Sequence, residues 1–207
     1  MIAIVDYGMG NLRSVEKAIA RTGTAVLVTS DARQILDADG VVLPGVGAFG
    51  ACMENLARRE LVEPVCAAVR SGKPFLGICL GLQLLFEESE EFGPIRGLGI
   101  LPGRVVRFAG SALDGLKIPQ MGWNRLSVRR SVPELAGIED GAYVYFVHSY
   151  YVLPAEPDLT VASTHYGLEF AAAIAWKNVF ACQFHPEKSQ SVGLRLLANF
   201  AARVNGS

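Results

Sequence analysis

The sequence predicts an α/β fold: a three-layer sandwich around a mostly parallel, mixed sheet, with a strand-rich extension. Three observations carry this. Four short, almost wholly apolar runs recur in the first 80 residues, and runs without polar alternation suit strands buried on both faces. Helical or loop segments separate them, as a parallel sheet requires. After about Glu87 the pattern changes to short β-like stretches among glycines and prolines, which favours meandering strands over further β-α repeats. The 207 residues suffice for a sizeable core, and one domain over 1–207 is expected.

The first run, Ile2-Ala-Ile-Val5, reads as a buried strand. Asn11 then stands at an N-cap position, and Leu12, Val15 and Ile19 form the inner stripe of a helix reaching about Arg21. Ala25 to Thr29 and Gly40 to Leu43 are the next strands. Val62, Val65, Cys66 and Val69 mark a helix that Gly72-Lys73-Pro74 ends, and Pro74 to Ile78 is the fourth strand. The acidic stretch Glu87-Glu88-Ser89-Glu90-Glu91 is expected to be a solvated loop. Val105 to Phe108, Tyr143 to Val147 and Val179 to Cys182 are short strands of a mixed-sheet extension. A helix from about Lys188 to Val204 closes the chain, with Leu194, Leu197, Ala198 and Ala201 on one face.

A composition 51% hydrophobic and 19% charged excludes global disorder. Nineteen basic against twenty acidic residues leave a net charge of -1, with no electrostatic footprint for nucleic acid or anionic lipid. The opening residues Met1 to Asp6 show no basic segment or cleavable apolar run, and no apolar run is long enough to span a bilayer, so a soluble cytoplasmic protein is expected. The cysteines at 52, 66, 79 and 182 contain no C-x-x-C pair, and the histidines at 148, 165 and 185 lack H-x-x-x-H spacing. Neither a metal site nor disulfides are expected. Scattered thiols of this kind are usually small buried hydrophobes, unless local context raises one of them.

Gly45-Val-Gly47-Ala-Phe-Gly50 matches the G-x-G-x-x-G fingerprint of dinucleotide sites. It follows the third strand rather than the first, however, and Arg70-Ser71 occupies the place of the required acidic residue. The loop reads better as backbone free to present the amides of Val46 and Gly47 to an anion. Gly77-Ile-Cys79-Leu-Gly81 is the stronger signal. Strand, G-x-C-x-G and helix make a nucleophile elbow with Cys in place of Ser, the glycines permitting the sharp turn. A helix starting at Leu80 would favour thiolate at Cys79, and the Leu80 amide is placed for an oxyanion. A thiolate needs a base, and Phe184-His185-Pro-Glu187 supplies one together with a carboxylate to orient it. His148 sits in an aromatic strand with no carboxylate nearby and reads as a pocket-wall or core residue; His165 reads as a surface residue.

Together, Pro44-Gly-Val-Gly47, Gly77-Ile-Cys79-Leu-Gly81-Leu-Gln83 and Phe184-His185-Pro-Glu187-Lys-Ser resemble the class I, or triad, glutamine amidotransferases. Asp6 to Leu12, Pro44 to Phe49, Pro119 to Asn124 and Tyr145 to Tyr150 resemble its histidine-biosynthesis branch in particular. The resemblance implies the corresponding fold, no cofactor, and glutamine hydrolysis to glutamate and ammonia by Cys79, His185 and Glu187. Val46, Gly47 and Leu80 would hold the oxyanion, and Gly45, Gln83, Ser149 and Tyr150 the glutamine. It further implies that ammonia passes to a (β/α)8-barrel cyclase, bound as a heterodimer, which makes imidazole glycerol phosphate and an aminoimidazole carboxamide ribotide. Asn11, Gln120, Met121, Trp123 and Tyr145 would face that partner. Two other readings compete: a glutaminase serving another triad amidotransferase, and a non-catalytic interaction module on the same fold.

Overall fold

In the computed structural model, which describes residues 1–110 and 115–206, eight strands form the central sheet. Numbered in chain order, they lie side by side as β2 (Val26–Thr29), β1 (Ile2–Val5), β3 (Gly40–Gly45), β4 (Phe75–Cys79), β14 (Val179–Cys182), β13 (Leu168–Trp176), β12 (Thr160–Tyr166) and β9 (Ser127–Val128). The first five run parallel, and β13, β12 and β9 continue the sheet antiparallel.

Strand alternation sorts the apolar side chains into two cores. Ile2, Ile4, Val42, Leu76 and Ile78 point to one face, which α1 (Leu12–Ala20) and α6 (Gln190–Asn205) cover with Val15, Ile19, Leu197 and Phe200. Val5, Val41, Leu43 and Phe75 point to the other, covered by α2 (Ala32–Asp37), α3 (Phe49–Arg58) and α4 (Val62–Arg70). Three layers result. Asp31 caps α2 through hydrogen bonds from the Arg33 and Gln34 amides, whereas Asn11 stands at the cap position of α1 without a side-chain bond. No helix among the described residues is long and apolar enough to cross a membrane.

The second half departs from the expected single extension. Only β9, β12, β13 and β14 join the central sheet. β5 (Phe86–Ser89), β6 (Ile95–Arg96), β7 (Leu101–Arg107) and β11 (Tyr150–Pro154) make a separate sheet in the order β11-β7-β5-β6. β8 (Gln120–Arg125) and β10 (Tyr143–His148) pair as an antiparallel ribbon.

Three local expectations are corrected. The acidic stretch is solvated at Glu87, Glu88 and Glu90, but it is strand β5 and the turn after it rather than a loop, and its carboxylates accept from backbone donors. Glu87 accepts from the Gly103 amide at 2.9 Å, Glu90 from Arg107 at 2.6 Å and Glu91 from Phe49 at 2.6 Å. The helix after Cys79 is a single turn, α5 (Leu80–Gln83). The Leu84 amide closes the turn on the Leu80 carbonyl at 2.9 Å and the Leu85 amide on Leu82 at 3.2 Å, and the buried residues Leu84 and Leu85 then lead the chain into β5. α6 likewise begins later than expected, after a 3-10 turn at Pro186–Lys188.

Candidate active site

β4 delivers Cys79 to the carboxyl edge of the parallel strands, where ligands gather in open α/β sheets. Its backbone lies at φ +56° and ψ -109°, a conformation costing about 1–3 kcal/mol for an L residue. The flanking glycines let neighbouring strands close around this turn. A Cβ on Gly81 would stand 1.9 Å from the Leu43 carbonyl oxygen, and one on Gly77 2.9 Å from Ala181 Cβ.

β14 lies parallel to β4 with Cys182 opposite Ile78, so the chain just past β14 emerges beside Cys79. There the His185 amide donates to the Tyr145 carbonyl at 2.9 Å, and His185 Nδ1 lies 2.8 Å from Glu187 Oε1. The two side chains are 2% and 1% exposed. Burial alone would push the imidazolium downward, but Cys79 and Glu187 outweigh it and raise the ring from 6.5 to about 10. His185 Nε2 is buried without a hydrogen-bond partner among the described residues, which leaves that atom for chemistry.

Cys79 and His185 open into a cavity of about 270 Å³. Val46, Gly47, Leu80, Gln83, Ser149 and Tyr150, all sequence candidates, line it as well. Gly45 stands behind the wall: a Cβ there would lie 2.8 Å from both Leu80 Cβ and the Tyr7 hydroxyl. The Leu80 amide, first in α5, has no acceptor in a preceding turn. Gly47 takes φ +96°, open to glycine and strained for other residues. Beneath this loop Tyr7 donates to the Pro44 carbonyl at 2.7 Å, and Cys52 Sγ lies 3.6 Å from the Val46 carbonyl oxygen. Burial pushes the Cys52 thiol up to about 11, so it stays neutral.

The remaining wall is formed by Glu91, Pro119, Val147 and His148, which sequence reasoning did not assign to substrate. Of the two places its aromatic surroundings allowed, wall or core, His148 takes the wall, although it is almost fully buried. Burial lowers it to about 4, so its ring is neutral. Nδ1 bonds the Tyr150 carbonyl at 2.8 Å, and Nε2 lies 3.0 Å from the Gln120 amide. His165 is exposed. Gln183 carries no local signal in the sequence. It is fully buried, and its Nε2 lies 3.7 Å from Cys79 Sγ. A larger cleft, about 1060 Å³, lies around Arg130, Glu134 and Trp176 and contains no catalytic candidate.

The outer face of the β8–β10 ribbon carries apolar and aromatic side chains, with Arg125 over the Tyr143 ring at one end. Met121 and Trp123 are 65% and 45% exposed. The Trp123 ring meets Tyr145 edge-on at 5.9 Å, and Val147, on the same strand as Tyr145, reaches the cavity wall. Asn11 is exposed at the start of α1. Gln120 must be corrected: strand alternation turns it inward against His148, leaving it 2% exposed and unable to present its side chain to a partner.

The family described as glutamine amidotransferase class-I matches residues 3–204. The chain is 55% identical over 203 residues to the imidazole glycerol phosphate synthase subunit HisH of Syntrophotalea carbinolica, covering 97% of this chain and 98% of that protein. It is 54% identical over 202 residues to the protein of the same name from Geobacter sulfurreducens, covering 96% and 97%. Among solved structures, a glutamine amidotransferase superposes with a TM-score of 0.76 at 17% identity, covering 99% of this chain and 100% of the other. PurLQS from Thermotoga maritima gives 0.72 at 21% identity, covering 99% and 97%. These structural likenesses concern the fold, while the sequence matches reach further: the chain belongs to the class-I glutamine amidotransferase family.

Proposed function

We infer that the chain is the glutaminase subunit of an imidazole glycerol phosphate synthase, a single cytoplasmic amidotransferase domain that hydrolyses glutamine and supplies ammonia for histidine biosynthesis. One observation carries the chemistry: Cys79 and a carboxylate-paired His185 share a small cavity with Leu80, Gln83, Ser149 and Tyr150. The near full-length relatedness to HisH proteins carries the pathway.

Cys79 Sγ attacks the side-chain amide carbon of glutamine. The oxygen takes up the negative charge, and amides at Leu80 and the Val46–Gly47 loop hold it, each such donor being worth about 3 to 4 kcal/mol. His185, protonated at neutral pH, gives its Nε2 proton to the departing nitrogen as the C–N bond breaks and ammonia leaves. The ring, now neutral, takes a proton from water as that water attacks the thioester, releasing glutamate and returning the thiolate and imidazolium. Glu187 holds the ring in orientation throughout. Gln83, Ser149 and Tyr150 bind the glutamine. Ammonia passes to a cyclase of (β/α)8 form seated against Met121, Trp123 and Tyr145, an aromatic and methionine surface of the kind enriched at interface centres.

Replacing the nucleophile tests this. Cys79→Ser should abolish glutamine-dependent product formation by the complex while added ammonium salts still support it, because a serine hydroxyl is a much weaker nucleophile in a site tuned for thiolate. Cys66→Ser and Cys182→Ser should keep glutamine turnover. Substantial turnover in Cys79→Ser would remove Cys79 from the mechanism.

A further inference from the structure

We propose that Gln183 is a catalytic residue whose side-chain amide donates a hydrogen bond to the Cys79 sulfur and stabilises the attacking thiolate. The inference rests on Cys79 being the nucleophile. Gln183 stands one residue past the register pair Cys182 and Ile78, level with Cys79 on the neighbouring strand, and its own amide is anchored to the Ala172 carbonyl at 2.8 Å.

The direction of the Gln183 amide is fixed by a chain of partners. The Tyr150 carbonyl can only accept, so Gln83 must turn its NH₂ toward it, and Gln83 Nε2 lies 2.9 Å away. That same nitrogen donates to Gln183 Oε1 at 3.0 Å. With its oxygen so occupied, Gln183 presents its NH₂ to Cys79 Sγ at 3.7 Å. Reversing the amide would set two NH₂ groups against each other. Gln183 has no exposure, and a buried side-chain amide is costly unless its donors are used. A thiol is a weak acceptor and a thiolate a strong one, so the bond favours the charged form.

The other ionisable groups near this sulfur are His185, with Glu187 behind it, the neutral Tyr7, Cys52 and Cys182, and Glu91 and the neutral His148 on the same cavity wall. Gln183 therefore adds a directed donor to the cation that His185 supplies. Through Gln83 it also ties the nucleophile to the wall of the cavity.

The test is the pH profile of Cys79 alkylation by iodoacetamide, read by peptide mass spectrometry on the full chain. The variants are Gln183→Met, of similar length without the NH₂, and Gln183→Glu, of the same shape with an acceptor facing the sulfur. The midpoint should move up by about one pH unit in Gln183→Met, a tenfold loss of thiolate below both midpoints, and further in Gln183→Glu. The plateau rate above the midpoint should be kept, and glutaminase activity should recover in part at higher pH. Gln83→Met, which releases the anchor and leaves Gln183 in place, should move the midpoint the same way by less. This third variant decides the question if the Gln183 variants do not fold. Unchanged midpoints, whatever happens to turnover, would overturn the proposal. Turnover surviving Cys79→Ser would instead overturn the nucleophile assignment, with the Gln183 profiles unaffected.

Discussion

His185 is pulled two ways, by burial against its charge and by Cys79 and Glu187 in favour of it, and the balance lies near 10 against an ordinary 6.5. The folded chain therefore binds this proton more tightly than the unfolded chain does. The stability it contributes is complete below about 6.5 and lost as pH rises through about 10. Urea unfolding across that window should show wild type losing a component that a His185→Gln chain lacks; parallel curves would exclude it. In turnover, His185→Ala should cost several orders of magnitude and Glu187→Gln about a hundredfold less, because the ring keeps its place without its carboxylate. Steady-state glutaminase rates of the complex check both. A His148→Ala chain as impaired in acylation as His185→Ala would show that the base had been misassigned.

At the scale of elements, the turn from β4 into α5 depends on a close approach that only glycine allows. Gly81→Ala would press a Cβ to 1.9 Å from a backbone carbonyl of β3. Because backbone has to move, urea unfolding should show a loss of about 2 kcal/mol or more, with glutaminase activity falling alongside. Gly23→Ala, at φ +83° with open space around it, should cost only the backbone strain, about 1 kcal/mol. Gly77, Cys79 and Gly81 are legible in the sequence because a sharp turn restricts residue type locally. β1, β3, β4 and α4 are legible because burial on two faces, or along one stripe, leaves a pattern. α3 is not, since it starts directly after a glycine loop and its N-terminal amide is met by Glu91, 42 residues away. β5 is hidden because a charge-dense, exposed run reads as a loop even where its backbone pairs in a sheet. The role of Gln183 rests on a strand register between residues 104 apart, which no local pattern encodes.

At the scale of the whole molecule, the outer face of the ribbon and the catalytic turn are joined through one residue. The Tyr145 carbonyl accepts from the His185 amide at 2.9 Å, and the Tyr145 amide donates to Ser189 Oγ at 3.0 Å, while that hydroxyl donates to the His185 carbonyl at 2.6 Å. The Tyr145 ring lies on the outer side, against Trp123. A partner that grips these rings thus bears on the backbone of His185. The Val46–Gly47 loop just past β3 is the second adjustable part, since Gly47, at φ +96°, lets the peptide before it reorient at little steric cost, whereas Pro44 and Gly45 are held in the strand. The isolated chain should therefore be a poor glutaminase, stimulated by the cyclase and more so by cyclase holding its nucleotide ligand. A ligand biases the loop only by favouring one arrangement, and one oxyanion donor, about 3 to 4 kcal/mol, corresponds to two to three orders of magnitude in rate. Steady-state glutaminase activity of the isolated chain, with cyclase, and with cyclase plus ligand measures this, and equal rates in all three would refute the coupling. Gly47→Pro forces φ near -65° on a loop that takes +96°, and stimulation that survives it would exclude the loop as the agent. Ser189→Ala removes one of the two links between Tyr145 and His185 and should blunt stimulation by the cyclase; undiminished stimulation would exclude the Ser189 link, leaving the direct Tyr145 carbonyl bond.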